Sequence, residues 1–456
     1  PLNVTYPDVV NAIILGNSAN YISSTTGGVM QSEIYWFDIP TFTLSTGGGS
    51  YNDNVVIGTN GPIAYGMSTF NIQTNGGNDT LTINTGDLRL QTDDKYLPKP
   101  EFLTSGLPAG ATLTEAQRLQ YFTKIITTFT FDGGGGTDTY NQTADVDFTL
   151  ENNVLSTSKG GKLNLVNVET VNLNGGPRAN TFTVKNWFGF ANIDGKGGSD
   201  RYFLDILSGY NVNLNDTGSA SDTDHLYLSL TSGDDTITVN ATNIIFGGTT
   251  FGYNTTIEAL SLGGMDGDDT ITVNGAGLKD MIVDGGEGSD TYFITLCTLD
   301  NFTLIDSGVN GEDTATLTGT AGEDRFILSD LECTCAGGRV DLANWVGLLI
   351  LNGLGGDDRM TVNGNPLGET RLLGGDGDDR IYVFGTGLDG AFADGGEGSD
   401  SYFITTGPGL KAPVYVKDSG VTPSDNDYLV AIGTSGNDNG TSNETTVTIN
   451  GAVVYT

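Results

Sequence analysis

Histidine occurs once, at His225, so any nucleophile–histidine relay or zinc centre would have to be built on that single side chain. It stands in the run DTDHLYLSL beside two acids, Asp222 and Asp224, which reads as an exposed strand position. Cysteine is nearly as scarce. Cys297, Cys333 and Cys335 are too few, and odd in number, for a disulfide-stapled scaffold. Cys333 and Cys335 lie too close in sequence to favour pairing with each other. That leaves a bridge from Cys297 to one of them, or three partly buried thiols. Bases are also short: 19 Lys and Arg face 56 acids, for a net charge of −37. This field repels nucleic acid and anionic membrane surfaces and draws cations. So few bases argue against the β-helix enzymes that cleave acidic polysaccharides. Carboxylate pairs are too abundant for any to stand out as a glycosidase pair. No enzyme is expected and no catalytic residue is assigned. No apolar run approaches the ~18 residues of a membrane-spanning helix. Pro1 is not an initiator, so a processed chain or a fragment is expected.

Glycine and aspartate fill the space those absences leave. The 456 residues include 68 glycines, in clusters rather than at every third position, which excludes a collagen helix. Of the acids, 43 are Asp and 13 are Glu, so the charge belongs to turns and not to helix faces. Aromatic and β-branched residues between the clusters argue against disorder.

The clusters form a repeat. A glycine, any residue and an aspartate precede an alternating apolar run, as in GGNDTLTI (76–83), GGTDTY (135–140) and GGSDRYFL (197–204). The unit recurs as SGDDTITV (232–239), DGDDTITV (266–273), EGSDTYFI (287–294), AGEDRFIL (321–328), GGDDRMTV (355–362), DGDDRIYV (376–383), EGSDSYFI (397–404) and SGND (435–438). Asn180 takes the acid's place in GGPRANTFTV. From Asn180 onward the steps are 20, 35, 34, 21, 34, 34, 21, 21 and 38 residues, with a period of 89 linking 180, 269 and 358, and also 235 and 324. DTG (216–218), DSG (306–308) and DSG (418–420) keep the same phase.

Short period-2 runs between turns read as strands. The fold class expected is therefore all-β: an elongated β-solenoid, β-roll-like or β-helix-like, with stacked Gly-Asp turns. A 21-residue step makes one coil. A 34-residue step makes either one wider coil or two tight ones. The turns are expected to stack along a single edge. Residues 91–126 break the pattern with a loop, LPKPEFLTSGLPAG, and one credible helix, TEAQRLQYFTKI (114–125), N-capped by Thr114. The organisation expected is an irregular β region over 1–131, modules at 132–215, 216–305 and 306–417, the last with an extra coil, and a partial module at 418–456.

Stacked aspartates repel one another, and a cation between coils reverses that sign. Calcium takes six to eight oxygens, from carboxylates and from the carbonyls that glycine turns can converge. At this point GGDGDDRIY (374–382), DGGEGSDTYFI (284–294) and DGGEGSDSYFI (394–404) resemble the repeat-in-toxin family of calcium-binding β-rolls, whose motif is Gly-Gly-x-Gly-x-Asp-x-apolar-x. The resemblance implies secretion, calcium-driven folding outside the cell and metal sites at the turns. The motif's aspartate falls on Asp290, Asp379 and Asp400, then on Asp200, Asp269 and Asp358, and in looser copies on Asp138 and Asp324. Asp284 and Asp394, which open the two DGGEGSD copies, complete the implied ligand set. The family repeats every nine residues, whereas this chain repeats every 20 to 38, so the resemblance implies wider coils.

The ends bear on assembly. ETTVTINGAVVYT (444–456) followed by VNAIILGN (10–17) of a second copy, with Asn20 in the aspartate position, would continue the repeat with a step of 38 residues. A head-to-tail homopolymer or a piece of a longer repeat protein both follow from this. The function expected is that of a calcium-binding extracellular or cell-surface structural protein, a filament, sheath or layer. An adhesin or glycan-binding module on the same scaffold is the alternative, with loop 91–126 as its reader.

Overall fold

The computed structural model describes residues 2–6, 11–17, 19–26, 29–36, 41–46, 51–58, 69–88, 96–98 and 122–124. It also describes 128–455 apart from 206–210, 220, 254–255, 276–277, 300, 336, 344, 346, 444 and 450–451. For 2–36, 96–98 and 122–124 it gives the backbone alone.

The described chain is strand throughout, with one 3-10 turn at Leu296–Thr298. Threonine, valine, isoleucine and aromatic residues at alternate positions make each run suited to a pleated, half-buried surface. The burial follows: Thr270–Asn274 (TITVN) and Thr291–Thr295 (TYFIT) bury their second and fourth residues. The expected β-solenoid is what forms.

The chain divides into two compact units, residues 1–203 with 210–222, and 204–209 with 223–456. In the first unit, one parallel sheet contains Leu2–Tyr6, Thr41–Thr46, Thr69–Gln73, Thr128–Asp132 and Lys162–Val166, in that order. The facing sheet runs Asn11–Asn17, Asn54–Ile57, Thr80–Ile83, Thr139–Thr143, Thr170–Asn174, Phe190–Asp194 and Asn211–Leu214. In-register pairing stacks like on like, so the Phe42, Phe70 and Phe129 rings lie 5.0 and 5.3 Å apart in the core.

The segment that breaks the repeat leaves the stacking intact. Thr69–Gln73 pairs directly with Thr128–Asp132, and Thr80–Ile83 with Thr139–Thr143, so residues 89–127 are an excursion from one coil. Of the helix expected at 114–125, the described residues are Phe122–Lys124, and these form a strand antiparallel to Tyr96–Pro98. The remainder of that helix lies outside the described residues. Asn20, expected in a turn, lies inside the strand Ala19–Thr26, which folds back antiparallel on Asn11–Asn17.

The second unit repeats the plan. Its second sheet is parallel from Thr236–Asn240 through Thr270–Asn274, Thr291–Thr295, Thr314–Thr318, Leu348–Asn352, Thr370–Asp376, Ala391–Glu397 and Val414–Lys417 to Ala452–Tyr455. The first sheet runs Asp224–Ser229, Ile257–Gly263, Asp280–Asp284, Asn301–Ile305 and Gly338–Ala343. It continues through the antiparallel Glu332–Cys335 to Arg325–Leu328, then Arg359–Val362, Arg380–Val383, Ser401–Thr405 and Tyr428–Ile432. A 21-residue step is one strand in each sheet, as expected.

The 34-residue steps are of two kinds, and neither is two tight coils. From Asp235 to Asp269 and from Asp324 to Asp358, an ordinary coil carries an added antiparallel hairpin, Asn243–Phe246 with Thr249–Tyr253 or Glu332–Cys335 with Gly338–Ala343. Gly247 and Gly248, at φ 53° and 78°, make the tight turn of the former. From Asp290 to Asp324 the chain instead completes one and a half coils, through Thr291–Thr295, Asn301–Ile305 and Thr314–Thr318 to Arg325–Leu328. That half coil moves the next turn to the opposite edge. Asp235, Asp269 and Asp290 precede strands of the second sheet, whereas Asp324, Asp358, Asp379 and Asp400 precede strands of the first. The single edge expected from the sequence is therefore two.

Cys297 and Cys335 form a disulfide, and Cys333 is a buried thiol. His225 is half-buried on its strand, 2.9 Å from Ser261 Oγ through Nε2 and stacked on Tyr227.

Candidate cation sites

Most repeats bury the aspartate side chain, Asp235 being half-buried and Asp438 exposed, and the aspartates of successive coils join in a ladder. The N–H of one donates to Oδ1 of the next: Asp235 to Asp269 at 2.9 Å, Asp269 to Asp290 at 2.9 Å, and Asp290 to Asp313 at 2.7 Å. On the other edge Asp324 donates to Asp358 at 2.7 Å, Asp358 to Asp379 at 2.7 Å, Asp379 to Asp400 at 2.8 Å, and Asp400 to Asp427 at 2.9 Å. The first unit has the same device, Asp53 to Asp79 at 2.7 Å, Asp79 to Asp138 at 2.8 Å, Asp138 to Glu169 Oε2 at 2.7 Å, and Asn180 to Asp200 at 2.6 Å. Most of these acids are buried, whereas Asp235 and Glu169 are half-buried and Asp427 is exposed.

The motif's glycines make this packing possible. A Cβ on the glycine five residues before the acid would fall 2.0 Å from Asp379 Oδ2 at Gly374, 2.0 Å from Asp290 Oδ2 at Gly285 and 2.1 Å from Asp400 Oδ2 at Gly395. The glycines four and two residues before it take left-handed backbone: φ is 110° and 134° at Gly375 and Gly377. In the second unit the two ladders begin at Asp235 and Asp324, which Thr231 and Thr320, four residues upstream, bond through both N–H and hydroxyl. Thr434 bonds Asp438 in the same way.

An outer ladder runs the other way. Asp268 N–H donates back to Asp234 at 3.0 Å, Ser289 to Asp268 at 2.8 Å, Asp378 to Asp357 at 3.1 Å, and Ser399 to Asp378 at 2.9 Å. Asp284 and Asp394 belong to neither ladder. Their Oδ1 atoms accept from the N–H of Ser307 at 3.1 Å and Ser419 at 2.9 Å, holding the DSG turns.

The inner carboxylates carry a cost. Oδ2 of Asp79, Asp138, Asp269, Asp290, Asp358, Asp379 and Asp400 is buried with no hydrogen-bond partner. Burial, opposed by the ladder hydrogen bond and reinforced by neighbouring acids, pushes Asp138, Asp290, Asp358 and Asp400 up to about 6. The same balance pushes Asp269 and Asp379 up to about 7. The oxygens left over, orphaned Oδ2 atoms beside glycine carbonyls such as those of Gly285, Gly374 and Gly395, are hard donors of the kind calcium takes. Such oxygens fit a hard cation in chemistry, although each of these inner-ladder carboxylates already accepts a backbone N–H through its Oδ1.

One dense acid cluster joins Asp400 to two acids the sequence reading did not single out, Asp418 and Asp427. Asp400, Asp418 and Asp427 bring carboxylate oxygens within 4.8 Å of one another. Tyr402 lies among them: its hydroxyl donates to Asp418 Oδ2 at 3.2 Å and accepts from Gly395 N–H at 2.6 Å. The same parts recur at Asp290, Asp306 and Asp313 with Tyr292. There, burial first and the adjoining Asp313 carboxyl second push Asp306 up to about 7, with Asp290 adding to the effect. In the first unit, Tyr202 donates to Asp216 Oδ2 at 2.5 Å, and Gly195 packs on both Tyr202 and Asp200. Two unit charges 4.8 Å apart repel by about 3 kcal/mol at an effective dielectric constant of about 20. Cys297, Cys335 and Asp324 also cluster, but the two sulfurs are bonded to each other.

No protein-family model matches this chain, and no curated protein matches it.

Proposed function

We propose that the chain is a calcium-binding structural protein that works outside the cell, in a surface layer, sheath or filament, and catalyses no reaction. The observation that carries this reading is the ladder: aspartates stacked coil on coil, with a buried oxygen of Asp79, Asp138, Asp269, Asp290, Asp358, Asp379 and Asp400 left without a partner. A divalent cation at such oxygens lowers the free energy of the folded state only, so the fold and its ligand are linked. Calcium-rich surroundings outside the cell then act as the condition for folding.

Self-association fits the strand Tyr428–Ile432. Its outer neighbour in the sheet is absent among the described residues, and its burial pattern lacks the alternation of the strands before it, with Tyr428 51% exposed. Such an edge takes a further strand from another copy. The test is far-ultraviolet circular dichroism of the chain during calcium titration and chelation, with sizing and electron microscopy alongside. Calcium-dependent folding and head-to-tail particles are expected. Folding indifferent to chelator removes the calcium reading, and a stable monomer in calcium removes assembly.

One observation favours a second reading, a glycan-binding module. A cavity of about 570 Å³ is lined by Phe392, Tyr402, Tyr415, Tyr428, Lys417, Asp418 and Asp427. Aromatic faces beside acids are a surface on which a sugar ring stacks and bonds. Glycan-array binding lost on Tyr415→Ala would select this reading.

A further inference from the structure

We propose that the cations are held at the ends of the aspartate ladders, by the triads Asp290–Asp306–Asp313 and Asp400–Asp418–Asp427, and not along the ladders themselves. This rests on the calcium reading above and says where the ion sits.

The difference between ladder and triad is one of free oxygens. Within a ladder, each carboxylate gives Oδ1 to a backbone N–H and presses Oδ2 against a glycine and the next coil's glycine carbonyl. At Asp290 and Asp400 that continuation stops. The following coil has no Gly-Gly turn; in its place stand Asp306-Ser-Gly and Asp418-Ser-Gly, and then Asp313 or Asp427. A tyrosine two residues after the ladder acid fills the vacated position: a Cβ on Gly285 would lie 2.1 Å from the Tyr292 hydroxyl.

At Asp400 three carboxylates, that of Asp427 exposed, bring oxygens within 4.8 Å of one another where a ladder needs one. At Asp290, whose N–H donates to Asp313 at 2.7 Å, Asp306 and Asp313 stand in the same order. Asp290 and Asp400 are almost wholly buried, and the Oδ2 atom of each has no partner. Tyr292 is likewise buried, and its hydroxyl makes no hydrogen bond of ordinary geometry. Among the described residues, no Lys or Arg forms an ion pair with any of the six acids. Orphaned oxygens, converging negative charge and no protein cation together describe a divalent-ion site with oxygen ligands. The constellation is built twice in this unit, 110 residues apart at the ladder acid and at the tyrosine, so it belongs to the repeat.

The experiment uses the whole chain at neutral pH. Calcium bound per chain is counted by equilibrium dialysis, and terbium is followed by tyrosine-sensitised luminescence. The double variant Asp306→Asn, Asp418→Asn is expected to bind two fewer calcium ions, while Asp357→Asn, Asp378→Asn in the outer ladder binds the same number. Should the first variant not fold, Tyr292→Phe with Tyr402→Phe keeps all six carboxylates. It is expected to hold the full calcium count and to lose more than half of the terbium signal. An unchanged calcium count in the first variant, or an undimmed signal in the second, overturns the assignment and leaves the calcium reading standing. A wild-type chain that binds neither ion overturns both.

Discussion

The backbone N–H of Asp358 donates to Oδ1 of Asp379, 2.7 Å away and one coil further along the chain. The acid that marks each repeat thus serves the coil before its own.

Asp379→Ala removes that acceptor and leaves a buried N–H unsatisfied, at a cost of about 1–3 kcal/mol. Asp379→Asn keeps the oxygen and removes the charge, so without calcium at pH 7 it is expected to be at least as stable as the wild type. Urea unfolding of the two variants, compared at one calcium concentration, checks the contrast.

Gly374→Ala places a methyl group 2.0 Å from Asp379 Oδ2 and 2.4 Å from the Gly395 carbonyl. Neither neighbour is the loose end of a flexible chain, and overpacking of this kind costs about 1–3 kcal/mol. Gly263→Ala meets nothing within 4 Å and is expected to stay within about 0.5 kcal/mol of the wild type. Thermal unfolding of the pair separates crowding from a general dislike of alanine.

The pH dependence follows from acids pushed up on folding. Asp290, Asp358 and Asp400 titrate at about 6 in the folded chain, and Asp269 and Asp379 at about 7. An aspartate in the unfolded chain titrates at its ordinary value of 3.8. Between these limits the folded state holds more protons than the unfolded one, so stability falls as pH rises. Without calcium, the unfolding midpoint in urea is expected to drop steadily from pH 4 to pH 7.5. Saturating calcium is expected to flatten or reverse that slope.

The Cys297–Cys335 bridge closes a separation of 38 residues. Its reduction is expected to cost about 3–4 kcal/mol by loop entropy. Unfolding with and without dithiothreitol reads the difference, with free-thiol titration rising from one to three.

Much of this was legible in the sequence because a solenoid writes its period directly. The 21-residue steps and the alternation in TITV and RIYV took the places expected of them, and the acids from Asp138 to Asp400 fall just before strands, although on two edges and not one. The two edges were not legible, because 34 residues is the length both of a coil with a hairpin and of one and a half coils. A local signal does separate ladder starts from continuing rungs in the second unit: TSGDD and TAGED open a ladder, whereas GGDGDD continues one. The triads were missed for a related reason. Asp313 and Asp427 follow no Gly-Gly turn, and their partners Asp306 and Asp418 come from a turn noted only for its phase. The tyrosine after GSD was the available clue.

The inner ladder also has a direction in time. Every buried N–H on it finds its acceptor in the coil that follows, usually 21 to 34 residues downstream. A chain emerging from a ribosome or a secretion channel, amino end first, cannot seal a coil until the next has come out. The most recent coil is always the loose one, and closure trails the exit by one turn. Such a chain would close one coil behind any aperture it left amino end first.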